Sequence, residues 1–272
     1  MRRDTSLLFL LMLPAAAFFT AFFLLPVVHL ALVGASGKDG AAAYSAIVTD
    51  ANYLRALIAT LGISAATTFL TLVISGFAGV FLQRNVFPGR SALVAMLTLP
   101  LAFPGVVVGF MVIILAGRQG LIGTISQALT GEKVVFAYSM AGLLMGYVYF
   151  SIPRTILTVM ATAEKLDPKL EEAARSLGAS TLRVVLDVIL PGLKPAFISA
   201  GAICFATAMG AFGTAFTLAT RIDVLPMVIY TEFTLQANIA VAAALSLVLG
   251  LVTWAALAVA RTAAGSTVAA AG

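Results

Sequence analysis

The stretch EEAARSLGASTLRVVLDVILP, from Glu171 to Pro191, interrupts a strongly apolar chain with charged, helix-forming sequence. Its charged side chains lie on both sides of a single glycine: Glu171, Glu172, Arg175, Arg183 and Asp187. The apolar runs before and after this stretch are of the length that crosses a bilayer. The presence of charged residues between two possible membrane spans therefore requires an explanation.

The composition excludes an ordinary soluble domain. Of the 272 residues, 61% are apolar and only 10% are charged, and the mean hydropathy is +1.09. Soluble domains carry about 25% charged residues, so the chain is predicted to be an all-α, polytopic membrane protein. The net charge of +5 does not indicate nucleic-acid binding, because the basic residues are spread thinly between apolar segments. The one cysteine, Cys204, is expected to be a core residue.

Six segments are long and apolar enough to be transmembrane helices. They are Leu7–Val33, Leu57–Leu82, Ala92–Ala116, Val134–Ile152, Ala196–Thr220 and Ile239–Ala260. The first exceeds the apolar core of a secretory signal, about 7–15 residues, and is predicted to be retained. A further patch, Leu121–Leu129, is too short to cross and is expected to be interfacial or re-entrant.

The basic residues predict the orientation in the membrane. Eleven of the 16 lie on the side of the termini: Arg2, Arg3, Arg84, Arg90, Arg154, Lys165, Lys169, Arg175, Arg183, Lys194 and Arg261. Basic loops remain in the cytoplasm. Both termini and the charged segment are therefore predicted to be cytoplasmic. Residues 1–261 are interpreted as one transmembrane domain, and residues 262–272 as a disordered tail.

Local signals predict a helical elbow within the charged segment. Asp167 can cap a helix that begins at Pro168, where the missing N–H of proline is harmless. Gly178 is suited to the left-handed turn that ends such a helix. Ser180 can cap a second helix, which Pro191 is expected to stop.

Apolar side chains at helical spacing give the first arm of this elbow an amphipathic stripe: Leu166, Leu170, Ala173, Ala174 and Leu177. A cytoplasmic amphipathic helix could lie on the membrane surface. It could equally insert into a groove of a cytoplasmic partner. The spacing favours neither interpretation, because both require the same stripe.

The segment also resembles the cytoplasmic EAA signature of the inner-membrane permeases of binding-protein-dependent ABC importers. That signature is EAA, three residues, glycine, nine residues, isoleucine, one residue and Leu-Pro. The matching residues are Glu172, Ala173, Ala174, Gly178, Leu190 and Pro191. Val188 replaces the usual isoleucine, which is a mild departure.

The resemblance extends over most of the chain. NYLRALIATLGIS (Asn52–Ser64) is similar to the family's entry into its second span, with Ala59 in place of a common asparagine. LPLAFPGVVVGF (Leu99–Phe110) resembles its proline-bearing third span. FFLLPV in the first span is most similar to permeases that serve polyamines, ferric iron or aminoalkylphosphonates.

The resemblance implies a transport subunit that is not itself an enzyme and holds no cofactor. It implies a second permease, identical or related, two cytoplasmic ATPase subunits that bind ATP and magnesium, and an external solute-binding protein. Residues from about 164 to 195 would form the coupling segment. There Glu172 would contact the ATPase, Ala173 and Ala174 would allow close approach, and Gly178 would form the corner. Val188, Leu190 and Pro191 would complete the second arm and end it.

The substrate pathway has a weaker signal in GAICFATAMGAFGTAF (Gly201–Phe216). Its candidate lining residues are Thr207, Met209, Phe212 and Thr214, although each could instead make plain helix–helix contacts. The segment Arg221–Gln236 is expected to be an outer gate, a docking surface for the binding protein, or a solvated turn.

Three other functions compete with the importer. An ion-coupled secondary transporter needs ionisable groups within the membrane, and the predicted spans are poor in them. A membrane scaffold would use the elbow for interaction but would not need the spaced signature. An intramembrane enzyme lacks a paired nucleophile and base.

Overall fold

The computed structural model describes residues 2–37, 40–218 and 222–264, and all regular elements in these ranges are helical. The α-helices are α1 (Arg2–Phe19), α2 (Leu25–Ala35), α3 (Ala42–Thr49), α4 (Ala51–Arg84), α5 (Arg90–Thr98), α6 (Gly105–Ala116), α7 (Leu121–Thr130), α8 (Met140–Glu164), α9 (Pro168–Ser176), α10 (Thr181–Val184), α11 (Leu190–Met209), α12 (Gly213–Leu218), α13 (Leu225–Thr234) and α14 (Ile239–Ala264). The π-helical turns Thr20–Leu24 and Val185–Ile189 join α1 to α2 and α10 to α11. The all-α prediction is confirmed for this part of the chain.

Six stretches of the described chain are long and apolar enough to cross a bilayer, as the sequence predicted. They are Leu11–Ala35, Ala51–Arg84, Gly105–Thr130, Met140–Glu164, Thr181–Met209 and Ile239–Thr262. The first, second and sixth overlap the predicted spans well. The other three begin and end at different residues from the predicted spans, and these differences occur at proline and glycine residues.

The third predicted span, Ala92–Ala116, is interrupted. α5 continues as a 3₁₀ turn, Leu99–Ala102, and α6 begins only at Gly105. Between them Phe103 and Pro104 are extended, with ψ 132° and 151°, because the residue before a proline is disfavoured in the α conformation. The apolar patch predicted at Leu121–Leu129 is α7, which follows α6 across a non-helical corner at residues 117–120.

The fourth predicted span, Val134–Ile152, begins and ends too early. α8 starts at Met140 and continues through Pro153 to Glu164. Pro153 removes one backbone hydrogen bond from the helix, but it is buried against neighbouring residues that hold the helix together. The helix therefore carries residues beyond Pro153 that the sequence placed in a loop.

The fifth predicted span, Ala196–Thr220, is also wrong at both ends. The helical stretch runs from Thr181 to Met209, and the chain leaves it at Gly210 before α12. Pro191 does not stop the second arm of the elbow. The π-helical turn Val185–Ile189 immediately before α11 widens the helix, so Pro191 takes a place in the first turn of α11 where its missing N–H is tolerated.

Contacts divide the chain into two compact units, Met1–Leu57 with Val228–Leu251 and Ile58–Met227 with Val252–Gly272. In the first unit, the Tyr44 hydroxyl donates a hydrogen bond to the Ala31 carbonyl at 2.6 Å. A Cβ added to Gly34 would lie 2.5 Å from the same hydroxyl oxygen, so this close approach requires glycine. The Tyr53 hydroxyl donates to the buried Glu232 carboxylate at 2.8 Å.

In the second unit, α6 and α12 pack closely through small residues. A Cβ on Gly109 would lie 2.6 Å from the Thr217 Cβ. The Thr214 hydroxyl donates to the Gly105 carbonyl at 2.9 Å. Small residues permit such approach where apolar helices have no hydrophobic drive to associate in lipid.

A buried apolar cluster of this unit lies near the coupling segment. Val159, Ala163 and Leu193 form its buried centre, and partly buried Leu166 and Phe197 pack against them. Gly79 of α4 lies against the same α8 surface. The residues that flank the elbow are therefore packed in a buried apolar cluster.

Candidate coupling segment and pathway residues

Hydrogen bonds define the start of α9 where the sequence predicted it. The Asp167 carboxylate accepts a hydrogen bond from the Lys169 backbone N–H at 3.0 Å, and Pro168 occupies the first turn. Glu171 also lies in the first turn, where the helix dipole favours negative charge. The predicted N-cap is confirmed.

Gly178 ends α9 in the left-handed conformation, with φ +83°. Its N–H donates to the Arg175 carbonyl at 2.9 Å, and the Ala179 N–H donates to the Ala174 carbonyl at 3.0 Å. This pair of bonds is a Schellman motif, which satisfies carbonyls left free at the helix end. A Cβ at Gly178 would meet no atom within 4 Å, so glycine is needed for its backbone angle and not for space.

The second arm begins directly after this corner. The Ser180 hydroxyl accepts from the Arg183 N–H at 3.4 Å, as predicted, and α10 follows. From there the helix continues through the π-helical turn into α11. The elbow is therefore one short capped helix, a glycine corner, and the extended end of a membrane-spanning helix.

The signature residues lie largely on the outside of this elbow. Glu172, Ala173, Gly178, Leu190 and Pro191 are exposed, while Ala174 and Val188 are half-buried. Leu170 and Leu177 expose 56% and 89% of their surface. A charged helix that exposes two such leucines is typical of a surface that contacts another protein or a membrane.

Sequence reasoning missed the contact that holds α9 to the rest of the unit. The Arg84 guanidinium at the end of α4 pairs with the Glu171 carboxylate, with Nη2 and Oε1 2.5 Å apart. The approach is not aligned as a hydrogen bond, so the pair is primarily a charge contact. Arg84 also donates to the Leu166 carbonyl at 3.4 Å. The only sequence signal was one basic residue in the last turn of a span.

The candidate pathway residues do not share one environment. Met209 is completely buried, and Thr214 is buried in the contact with α6. Phe212 is partly exposed and packs on Phe216, with ring centroids 5.3 Å apart. Thr207 is half-buried on α11, and its hydroxyl donates to the Ile203 carbonyl at 2.8 Å.

Sequence reasoning also missed that Arg154 lies inside a helix. The predicted fourth span ends at Ile152 and leaves Arg154 on the cytoplasmic side of it, whereas the structure includes Arg154 in α8. Its Nη1 donates to the Thr207 hydroxyl at 3.5 Å. A basic side chain thus reaches the one candidate pathway residue that is neither fully buried nor stacked on an aromatic ring.

The segment Arg221–Gln236, which is predicted to be external, is mostly helical where the structure describes it. Arg221 lies outside the described residues, whereas Leu225–Thr234 forms α13. Leu225 is fully buried and the Leu225 N–H donates to the Thr60 hydroxyl at 2.8 Å. A helix with a buried first residue is not the solvated turn that was one of the predicted alternatives for this segment. Of the predicted tail, α14 includes residues up to Ala264, and residues 265–272 lie outside the described chain.

Comparisons with known proteins bear on both the fold and the segment. Residues 74–264 match the model of the family described as binding-protein-dependent transport system inner membrane component. The molybdenum transport system permease protein ModB of Escherichia coli (strain K12) is 32% identical over 189 residues, 68% of this chain and 81% of ModB. The putative 2-aminoethylphosphonate transport system permease protein PhnU of Salmonella typhimurium (strain LT2) is 29% identical over 244 residues, 88% of this chain and 85% of PhnU.

A solved structure shares the fold. The crystal structure of a bacterial ABC transporter involved in the import of the acidic polysaccharide alginate contains a chain that superposes with a TM-score of 0.77. The sequences are 17% identical, and the match covers 96% of each chain. At this identity the likeness concerns the fold alone.

Proposed function

The chain belongs to the binding-protein-dependent transport system inner membrane components, and we propose that it forms one half of an ABC importer's translocation pathway. It is a multi-pass membrane protein and the permease subunit of such an importer. The other half would be a second permease, identical or related. An external binding protein would deliver a small solute to the pair.

We propose that the driving force enters through the elbow. Two separate cytoplasmic ATPase subunits would bind ATP and magnesium, and α9 would dock in a cleft of one of them. The exposed leucines around Glu172 support this proposal, because an aqueous apolar surface needs a partner. The buried cluster of Val159, Ala163 and Leu193 supports it as well, because the elbow can transmit motion to the spans only if it is packed against them.

The proposed topology follows the basic residues. Both termini and α9 would face the cytoplasm. Residues 1–261 would act as a single permease domain, with 262–272 as a tail. Among the substrates implied by the resemblance, an aminoalkylphosphonate has direct support from the 2-aminoethylphosphonate relative, which matches 88% of this chain.

Gly178→Asp tests the coupling role. Gly178 has open space around it, so the substitution creates no clash within the chain; it strains the left-handed backbone and places a charged side chain on the proposed docking surface. We expect normal insertion but loss of ATPase co-purification and of uptake. Normal uptake at wild-type membrane levels would contradict the assignment.

Gly131→Asp is the matched control. Gly131 ends α7 with φ +78° and also has no neighbour within 4 Å of an added Cβ, so the backbone strain is equivalent. It lies on the side predicted to be external. ATPase co-purification should survive this substitution.

A further inference from the structure

Arg154 lies near the middle of a membrane-spanning helix. At 1.5 Å per residue, it is about 21 Å from the Met140 end of α8 and about 15 Å from the Glu164 end. α8 is about 36 Å long and the bilayer core is about 30 Å thick, so a bilayer centred on α8 would place the guanidinium inside the apolar layer. A charged group at this depth faces a partner or an aqueous cavity.

Within the described chain, Arg154 has no carboxylate partner. The Thr207 hydroxyl is its acceptor, at the 3.5 Å limit of a hydrogen bond. Most of its N–H donors are therefore unused, although the side chain is exposed on the single subunit. This arrangement is a fixed positive charge without an internal counter-ion.

The surroundings of Arg154 are small and partly polar. A small cavity of about 10 Å³ between α8 and α11 is lined by Arg154 together with Phe150, Ser151, Thr155, Ala200, Cys204 and Thr207. The Thr155 and Thr207 hydroxyls already donate to the Ser151 and Ile203 carbonyls, so the guanidinium is the group suited to oxygen atoms that carry negative charge, which arginine binds with paired N–H donors. A polyamine or a ferric ion would be repelled at the same place.

From these observations, and resting on the proposed permease function, we infer that Arg154 is an anion-contacting residue of the translocation pathway and that the solute is an oxyanion, such as a phosphonate or a tetrahedral oxyacid anion. Thr207 positions the guanidinium. The substrate class is therefore narrower than the sequence indicates, because polyamines and ferric iron are excluded.

Charged thiol reagents test this inference on the assembled transporter. The native cysteine is removed by Cys204→Ser, and Thr207→Cys places a thiol next to Arg154. We expect an anionic methanethiosulfonate to react faster than a cationic one, after correction for their rates with a free thiol, by a factor on the order of ten. Arg154→Lys should preserve this ratio, and Arg154→Gln should bring it close to one.

Ser45→Cys in the same Cys204→Ser background provides the control, because Ser45 is exposed on α3 and its reaction should not respond to Arg154. Equal rates of the two reagents at position 207 would overturn the inference, since a carboxylate from another subunit would then neutralise Arg154. No reaction at position 207 in a transporter that hydrolyses ATP would also overturn it.

Uptake separates this inference from the proposed function. The assembled transporter is supplied with sulfate, molybdate, 2-aminoethylphosphonate or putrescine. We expect import of at least one oxyanion, reduced about tenfold or more by Arg154→Gln at unchanged membrane level. Import of none of the three oxyanions by an ATP-hydrolysing assembly would overturn the inference and leave the permease function standing. Failure to assemble with any ATPase would overturn both.

Discussion

The contact between Arg84 and Glu171 predicts that the elbow loses its anchor when either charge is removed. The two side chains are 24% and 15% exposed, and they join the end of α4 to the first turn of α9. In Glu171→Gln, the Arg84 guanidinium stays half-sheltered without its counter-charge. We expect α9 to detach from α4 more often while the six spans remain folded.

The magnitude follows from the partial burial of the pair. Exposed ion pairs contribute below about 1 kcal/mol. Removing one partner of a fully buried pair costs about 3–5 kcal/mol. The Arg84–Glu171 pair lies between these limits, so we expect a coupling free energy of about 2 kcal/mol, or roughly thirtyfold in the docking equilibrium.

A double-mutant cycle measures this coupling. Arg84→Gln, Glu171→Gln and the double variant are compared by thermal unfolding in detergent and by hydrogen–deuterium exchange of α9. Each single variant should speed exchange of α9, and the double variant should add little further. Glu172→Gln is the control: its exposed side chain has no partner in the described chain, so stability should change by less than about 0.5 kcal/mol. Strictly additive effects of the single variants, or equal effects of Glu171→Gln and Glu172→Gln, would refute the anchor.

Two further predictions concern packing. Gly79→Ala should destabilise the protein by about 1–3 kcal/mol in thermal unfolding, because the added Cβ would lie 2.8 Å from Val159 Cγ1. Gly62→Ala on the same helix is the control: its Cβ meets nothing within 4 Å, so the free energy of unfolding should be unchanged or slightly raised. Equal effects of the two substitutions would disprove the close approach at Gly79. Tyr53→Phe should lower the free energy of unfolding by about 1–3 kcal/mol, since it leaves the buried Glu232 carboxylate without its donor. Tyr44→Phe should lower it less, because the Tyr44 hydroxyl donates to a neutral carbonyl. A smaller effect at Tyr53 than at Tyr44 would show that Glu232 finds another partner.

Features set by neighbouring residues could be predicted from the sequence. The Asp167 and Ser180 caps and the Gly178 turn depend on bonds within a few residues, and all three are present. The number of spans was predictable for a similar reason, because hydropathy over about 20 residues reflects the bilayer thickness.

Features that depend on distant contacts could not be predicted. Pro191 resembles a helix stop, but the π-helical turn before it lets the helix continue. Pro153 resembles a span boundary, but it is buried within α8, and the helix continues through Pro153 and includes Arg154. The partners of Arg84 and Arg154 lie on other helices, and a single sequence carries no signal for those pairings.

Photo-crosslinking from α9 tests the coupling most directly. A benzophenone side chain at Leu177, which exposes 89% of its surface at the corner of the elbow, is irradiated in membranes that contain the complete transport system. The same probe at Leu129, an exposed residue of α7 on the side predicted to be external, is the control. The proposed function predicts a crosslink from position 177 to a separate ATP-hydrolysing subunit and none from position 129. Capture of that subunit from position 129 but not from position 177, or from neither, would contradict it.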